Sequence, residues 1–141
     1  MLNRLESVLR SAARLVMRKR KFDPISEDIR NTLHWLPVRQ RIEFKLGILA
    51  FKCLHGDAPC YLAESLSKVA VNPALQAHSS ATRGDLVVPR TRTVKMGPRS
   101  FCVSGPMLWN SLPLEIRYHE QTLDSFKVKL KNYLFKKAYF S

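Results

Sequence analysis

The sequence predicts a mainly α-helical domain of five to six helices, with a short β-hairpin inserted around residues 85–103. Three observations carry this. Apolar residues recur at helical spacing in residues 2–20, 37–54 and 123–134, the pattern of faces turned toward a core. Prolines 24, 37, 59 and 113 stand where helices start or stop. Alternating, β-branched stretches are confined to the neighbourhood of "DLVVP" and "RTRTVK". A length of 141 residues suits one domain, and 45% hydrophobic residues suffice for a core, which excludes wholesale disorder.

In chain order, residues 1–67 form a helical part. Residues 2–20 place Leu2, Leu5, Val8, Leu9, Ala12, Leu15 and Val16 on one face, with Arg10, Arg14 and Arg18 opposite. In "FDPISEDIRNTLHWL" Pro24 suits a first turn, and Glu27 and Asp28 favour the positive end of a helix. Pro37 opens a third helix over 37–54, stopped by His55-Gly56. On its wheel Val38, Ile42, Leu46, Leu49 and Cys53 share one side and Phe44, Ile48 and Phe51 another. Only a narrow stripe of Arg41, Lys45 and Lys52 stays polar, so this helix is expected at the centre of the core, with Trp35 at its base. A short helix follows at 59–66, then a loop over 68–84 without periodicity. After the basic hairpin at 85–103, C-terminal helices occupy 105–138. "GPMLWNSLP" is bounded by two prolines and buries Leu108 and Trp109, and the last helix is capped by Thr122. Its stripe is Leu123, Phe126, Leu130, Tyr133 and Leu134.

Lys and Arg number 24 against 11 acids, a net charge of +13. Such a surface attracts polyanions, RNA or DNA backbone first, with anionic membrane and acidic protein surfaces behind. No apolar run reaches the roughly 18 residues of a membrane span. Cys53, Cys60 and Cys102 lack a disulfide-framework spacing and suit reduced thiols in an intracellular setting, nuclear or cytoplasmic. The N-terminus also has the Arg-rich, acid-poor amphipathic character of a mitochondrial presequence; the first helix of a folded domain is the preferred reading.

Chemistry-bearing motifs are scarce. No phosphate-cradling glycine loop and no G-x-S-x-G elbow occurs. Glu27-Asp28 is the sole adjacent acid pair, and helical neighbours diverge. Cys53, His55 and Cys60 in "CLHGDAPC" lack the second ligand pair that structural zinc requires. The chain is therefore expected to be no enzyme and to carry no catalytic, metal or cofactor site. The basic constellations are the candidates for phosphate contact: Arg10, Arg14 and Arg18; Arg41, Lys45 and Lys52; and Arg83, Arg90, Arg92, Lys95 and Arg99 of the hairpin region, where Asp85 is the single acid.

Six blocks occur in order and register: "RLESVLRSAARLV", "LHWLPVRQRIEFK", "AFKCLHGDAPCYL", "LVVPRTRT", "GPRSFCVSGPMLWNSLP" and "LDSFKVKLKNYLF". Together they resemble the C-terminal region of reverse transcriptases from jockey-like, LINE-type (non-LTR) retrotransposons. The resemblance implies a segment downstream of the polymerase palm, thumb-like, that holds template and target. The palm's metal-binding Asp-Asp motif and the endonuclease are not in this sequence, so no active-site residue carries over. The expected function is nonspecific RNA or DNA backbone binding, with the missing polymerase palm as a further partner. The alternative is a free-standing or domesticated protein-interaction module in which Trp35, Trp109 and Phe135 mark docking patches, with Val128 and Phe135 off the last helix's main stripe.

Overall fold

The computed structural model describes residues 2–66, 84–90, 97, 100–117 and 120–140. Among these the chain is mainly helical, without a sheet. The helices are α1 (Leu2–Val16), α2 (Ser26–Asn31), α3 (Val38–His55), α4 (Cys60–Ala63), α5 (Phe101–Ser111) and α6 (Leu123–Tyr139). They gather into two compact units, one of Met1–Phe44 with Lys131–Ser141, the other of Lys45–Leu130.

In the first unit α1 is shorter than its periodicity predicts. It stops at Val16 because Arg18 turns left-handed, at φ 53°. The Arg18 amide donates to the Leu15 carbonyl at 3.2 Å and the Lys19 amide to that of Arg14 at 2.9 Å. These two bonds close the helix end in the manner usually reserved for glycine. The larger correction concerns its buried face. Leu2, Leu5, Val8, Leu15 and Val16 are exposed, and Ala13 is the one fully buried residue of the helix. Ala13 packs with Ile25 and Ile29, against which Met17, Leu33 and Trp35 lie partly buried. The contact with α2 uses small and mixed residues about a quarter-turn from the aliphatic stripe.

Pro24 lies two residues before α2, outside it; Ile25 is the residue at the helix start. The α3 N-terminus is held from α1: the Val38 amide donates to Glu6 Oε1 at 2.7 Å. A carboxylate there satisfies one of the donors that an α-helix leaves unpaired at its start. At the C-terminal end of α6 the Tyr139 hydroxyl donates to the Trp35 carbonyl at 2.9 Å. The Phe135 ring meets His34 edge-on, with centroids 5.7 Å apart.

In the second unit α3 ends as the sequence predicts. Gly56 is left-handed at φ 79°, and the Asp57 amide reaches back to the Lys52 carbonyl at 2.9 Å. The buried face of α3 is Gly47, Ala50 and Phe51 rather than most of its circumference; Ile42 and Leu49 are exposed. Phe51 stacks on Phe126 with centroids 4.5 Å apart, Trp109 lies 5.9 Å from Phe126, and Leu130 is fully buried. Helix α4 is only Cys60–Ala63, shorter than the 59–66 expected.

Helix α5 overturns part of the hairpin. Phe101–Val103, expected as strand, is its first turn, and the helix runs through Pro106 to Ser111. Proline inside a helix normally clashes with the residue before it. That residue is Gly105, which has no Cβ to clash and whose place a side chain would fill at 3.0 Å from the Phe101 ring. The Gly-Pro pair that marks a break in the sequence is therefore accommodated. Gly84–Arg90 is non-helical, and Leu86 alone takes a bridging geometry. Asn110 serves as a partner for this segment: its Oδ1 accepts from the Leu86 amide and its Nδ2 donates to the Leu86 carbonyl, each at 2.8 Å. Residues 91–96 and 98–99 of the predicted hairpin and the 68–83 part of the predicted loop lie outside the described residues. Thr122 caps α6 as expected, its Oγ1 accepting from the Ser125 amide at 3.3 Å.

Candidate nucleic-acid interface

Of the candidate phosphate contacts, Arg10, Arg18, Arg41, Lys45 and Arg90 are exposed, and Arg14 and Lys52 half-buried. Arg83, Arg92, Lys95 and Arg99 lie outside the described residues. Arg10 and Arg14 stand one turn apart on α1, while Arg18 sits beyond the helix end. Two of the set are partly committed to the fold. Arg14 Nε donates to the Asp23 carbonyl at 3.1 Å. Arg41 Nε donates to the Leu36 carbonyl at 2.8 Å, and its guanidinium lies 5.3 Å from the Trp35 ring centroid. Such anchoring fixes the guanidinium plane, and an Arg fork carries donors enough to serve a phosphate as well. On α3, Lys45 and Lys52 make no ion pair among the described residues.

The acids are distributed differently from the cations. Asp28 pairs with Lys19 at 2.5 Å, Asp85 with Arg117 at 2.6 Å, Glu43 with Lys137 at 3.0 Å and Asp124 with Lys127 at 2.9 Å. Glu6 caps α3, and Asp23 accepts from the Arg20 amide at 2.8 Å. Asp85 and Arg117 are nearly buried, at 12% and 7% side-chain exposure, so Asp85 tethers its segment instead of diluting its charge. Six of the 11 carboxylates are thus engaged, four of them in ion pairs that each occupy a cation as well, so the net charge of +13 rests on the remaining cations. Exposed Arg4, Arg20 and Lys21 add to it, although the sequence reading did not single them out.

A second feature escaped the sequence reading. Tyr133, Lys136, Lys137 and Phe140 line an open cleft of about 600 Å³ in the first unit. Their spacing of three, four and seven residues puts them on one helical face, a signal present in "NYLFKKAYF", of which only Tyr133 was singled out, as part of the core stripe. Arg30 lies 4.3 Å from the Phe140 centroid and 6.0 Å from that of Tyr139. Aromatic faces beside lysines are the components of a base-stacking, phosphate-gripping surface.

The aromatic patch residues fare differently. Trp109 is buried at 3% exposure and packs in the core of its unit. Trp35 and Phe135 are half-buried among the contacts described above, and Val128 is exposed. Cys53 is half-buried, and burial pushes its thiol above the usual range, against a smaller opposing effect of a backbone hydrogen bond. His55 stacks on Phe51 at 3.9 Å and its Nδ1 donates to the Phe51 carbonyl at 2.8 Å. Cys60 is exposed at the start of α4. Among the described residues no three His, Cys, Asp or Glu side chains converge on a metal position, and no helix is long and apolar enough to cross a membrane.

Comparison with family models, with curated proteins and with solved structures found no match to this chain.

Proposed function

We propose that the chain is a non-catalytic, thumb-like C-terminal segment of a retrotransposon reverse transcriptase, and that it grips RNA or DNA through its phosphate backbone without reading sequence. The observation that carries the binding half is the exposure of cations: Arg10, Arg18, Arg41, Lys45 and Arg90 project from α1 and its end, α3 and the segment around Arg90 in a chain of net charge +13. The reverse-transcriptase half rests on the six blocks in register, and it makes the polymerase palm the natural physical neighbour.

Salt titration tests the reading. Each phosphate neutralised releases condensed counterions, so with about six contacts affinity for a short homopolymeric RNA falls on the order of a thousandfold between 50 and 200 mM salt. Anisotropy titrations with labelled RNA and single-stranded DNA read this directly. Affinity that stays flat over the same range sinks the proposal.

A further inference from the structure

The aliphatic stripe of α1 is not used by the fold. Leu2, Leu5, Val8, Leu15 and Val16 are 44%, 47%, 65%, 80% and 58% exposed, and Phe22, in the turn that follows, is 89% exposed. Five leucines and valines on one side of a 15-residue helix are a costly arrangement in water. The helix is fixed by a neighbouring face, through Ala13 and through Glu6, so the stripe stays outward while the fold is intact.

The surroundings of the stripe decide among occupants. Arg4, Arg18, Arg20 and Lys21 are exposed at its flank and its C-terminal end, and Glu6, the one acid of the helix, is turned inward onto Val38. A second copy would bring another +13 chain against the same arginines. Nucleic acid offers nothing to aliphatic side chains arranged along a straight, convex face. The stripe exposes on the order of 500 Å², enough to mark an interaction site on a single protein. A bilayer surface needs no shape complementarity. Its acyl boundary takes a convex apolar face, and anionic headgroups meet the basic rim.

We propose that α1 is an interfacial helix that lays Leu5, Val8, Leu15 and Val16 into an anionic lipid surface, with Phe22 entering beside them and Arg4, Arg18, Arg20 and Lys21 on the headgroup phosphates. The ligand class is an acidic phospholipid bilayer. This surface shares Arg18 with the candidate phosphate contacts, but its apolar half comes from side chains that nucleic-acid binding does not use, so the inference does not depend on nucleic-acid binding.

Vesicle flotation with the full chain tests it, using phosphatidylcholine vesicles with and without about one third phosphatidylserine at near-physiological salt. The wild-type chain is expected to float with the anionic vesicles and hardly with the neutral ones. A Val8→Gln/Leu15→Gln variant, altered only at exposed positions, should lose at least about tenfold in partitioning with unchanged thermal midpoint and unchanged RNA affinity. Three results overturn the proposal. The variant floats as well as wild type, which makes the attraction purely electrostatic. Neither chain floats, with wild type instead forming a concentration-dependent dimer that the variant abolishes, or remaining monomeric. The variant loses RNA affinity, which hands the face to nucleic acid.

Discussion

Gly47 on α3 should be a position where the best helix former is the wrong residue. Alanine at an exposed helical glycine gains about 1 kcal/mol. At Gly47, however, a Cβ falls 2.7 Å from Leu130 Cδ2, with Leu130 Cδ1 at 3.8 Å and Leu108 Cδ2 at 3.9 Å. Leu130 is fully buried, so its side chain cannot swing clear into solvent. Overpacking of this kind costs about 1–3 kcal/mol, which outweighs the propensity gain and makes Gly47→Ala destabilising by roughly 1 kcal/mol. Leu130→Ala alone should cost about 2–5 kcal/mol. In that background the obstructing atoms are gone, and Gly47→Ala should become stabilising by about 1 kcal/mol as its methyl enters the void. The double-mutant cycle then shows a coupling of about 2 kcal/mol, read from urea unfolding of the four proteins by circular dichroism. A Gly47→Ala that stabilises the wild-type background, or a cycle that closes within about 0.5 kcal/mol, would show that the two helices do not approach closely at this point.

Three further outcomes are expected. Arg18→Gly removes a side chain from a left-handed helix end and should raise stability by about 1 kcal/mol, while reducing the salt slope of RNA binding by about one; a loss of stability would refute the reading of that turn. Asp85→Ala leaves the nearly buried Arg117 without its carboxylate and should cost about 3 kcal/mol in chemical denaturation, whereas an effect within experimental error would show the pair to be solvated. Tyr139 is pushed above the usual phenol range by burial first and Glu6 second, with Arg30 and Arg41 pulling the other way. Above about pH 10 the unfolded chain therefore loses this proton before the folded one, so its contribution to stability is whole below that pH and declines as pH rises through the folded value. Tyr139→Phe should cost about 1 kcal/mol at neutral pH through the lost bond to Trp35, and should flatten this part of the alkaline decline, which thermal melts across the pH series would record.

The helices were legible where periodicity and punctuation agreed. The α3 stop at His55-Gly56 and the Thr122 cap of α6 were read from residue type alone, because a left-handed turn and an orphan amide admit few solutions. Three features were not legible, each for a physical reason. The helical run through Gly105-Pro106 depends on the absent Cβ next to the Phe101 ring, a three-dimensional accommodation. The pairing of Leu86 with Asn110 joins residues 24 apart through a side-chain amide, which no alternation of apolar residues announces. The exposed stripe of α1 was read as core because amphipathicity shows which face is apolar, not which face is covered. As for the candidate site, the cations themselves were visible in the sequence. Their commitment to Asp23, Leu36 and Trp35 was not, since those contacts are set by turns.

The two proposed surfaces predict different responses to high salt, which separates them although both partners present phosphates. Contact between α3 lysines and a nucleic-acid backbone is counterion exchange, and its free energy declines without limit as the logarithm of salt concentration rises. Docking of α1 on acidic lipid has one component of this kind, from Arg4, Arg18, Arg20 and Lys21, and a second from the aliphatic side chains that salt does not screen. Lipid partitioning should therefore fall with added salt to a floor, and the floor should vanish in Val8→Gln/Leu15→Gln while the initial slope survives. RNA affinity should show the slope and no floor in either chain. A floor in RNA binding would mean that bases stack in the Tyr133–Phe140 cleft, and Tyr133→Ala would then be the variant that removes it.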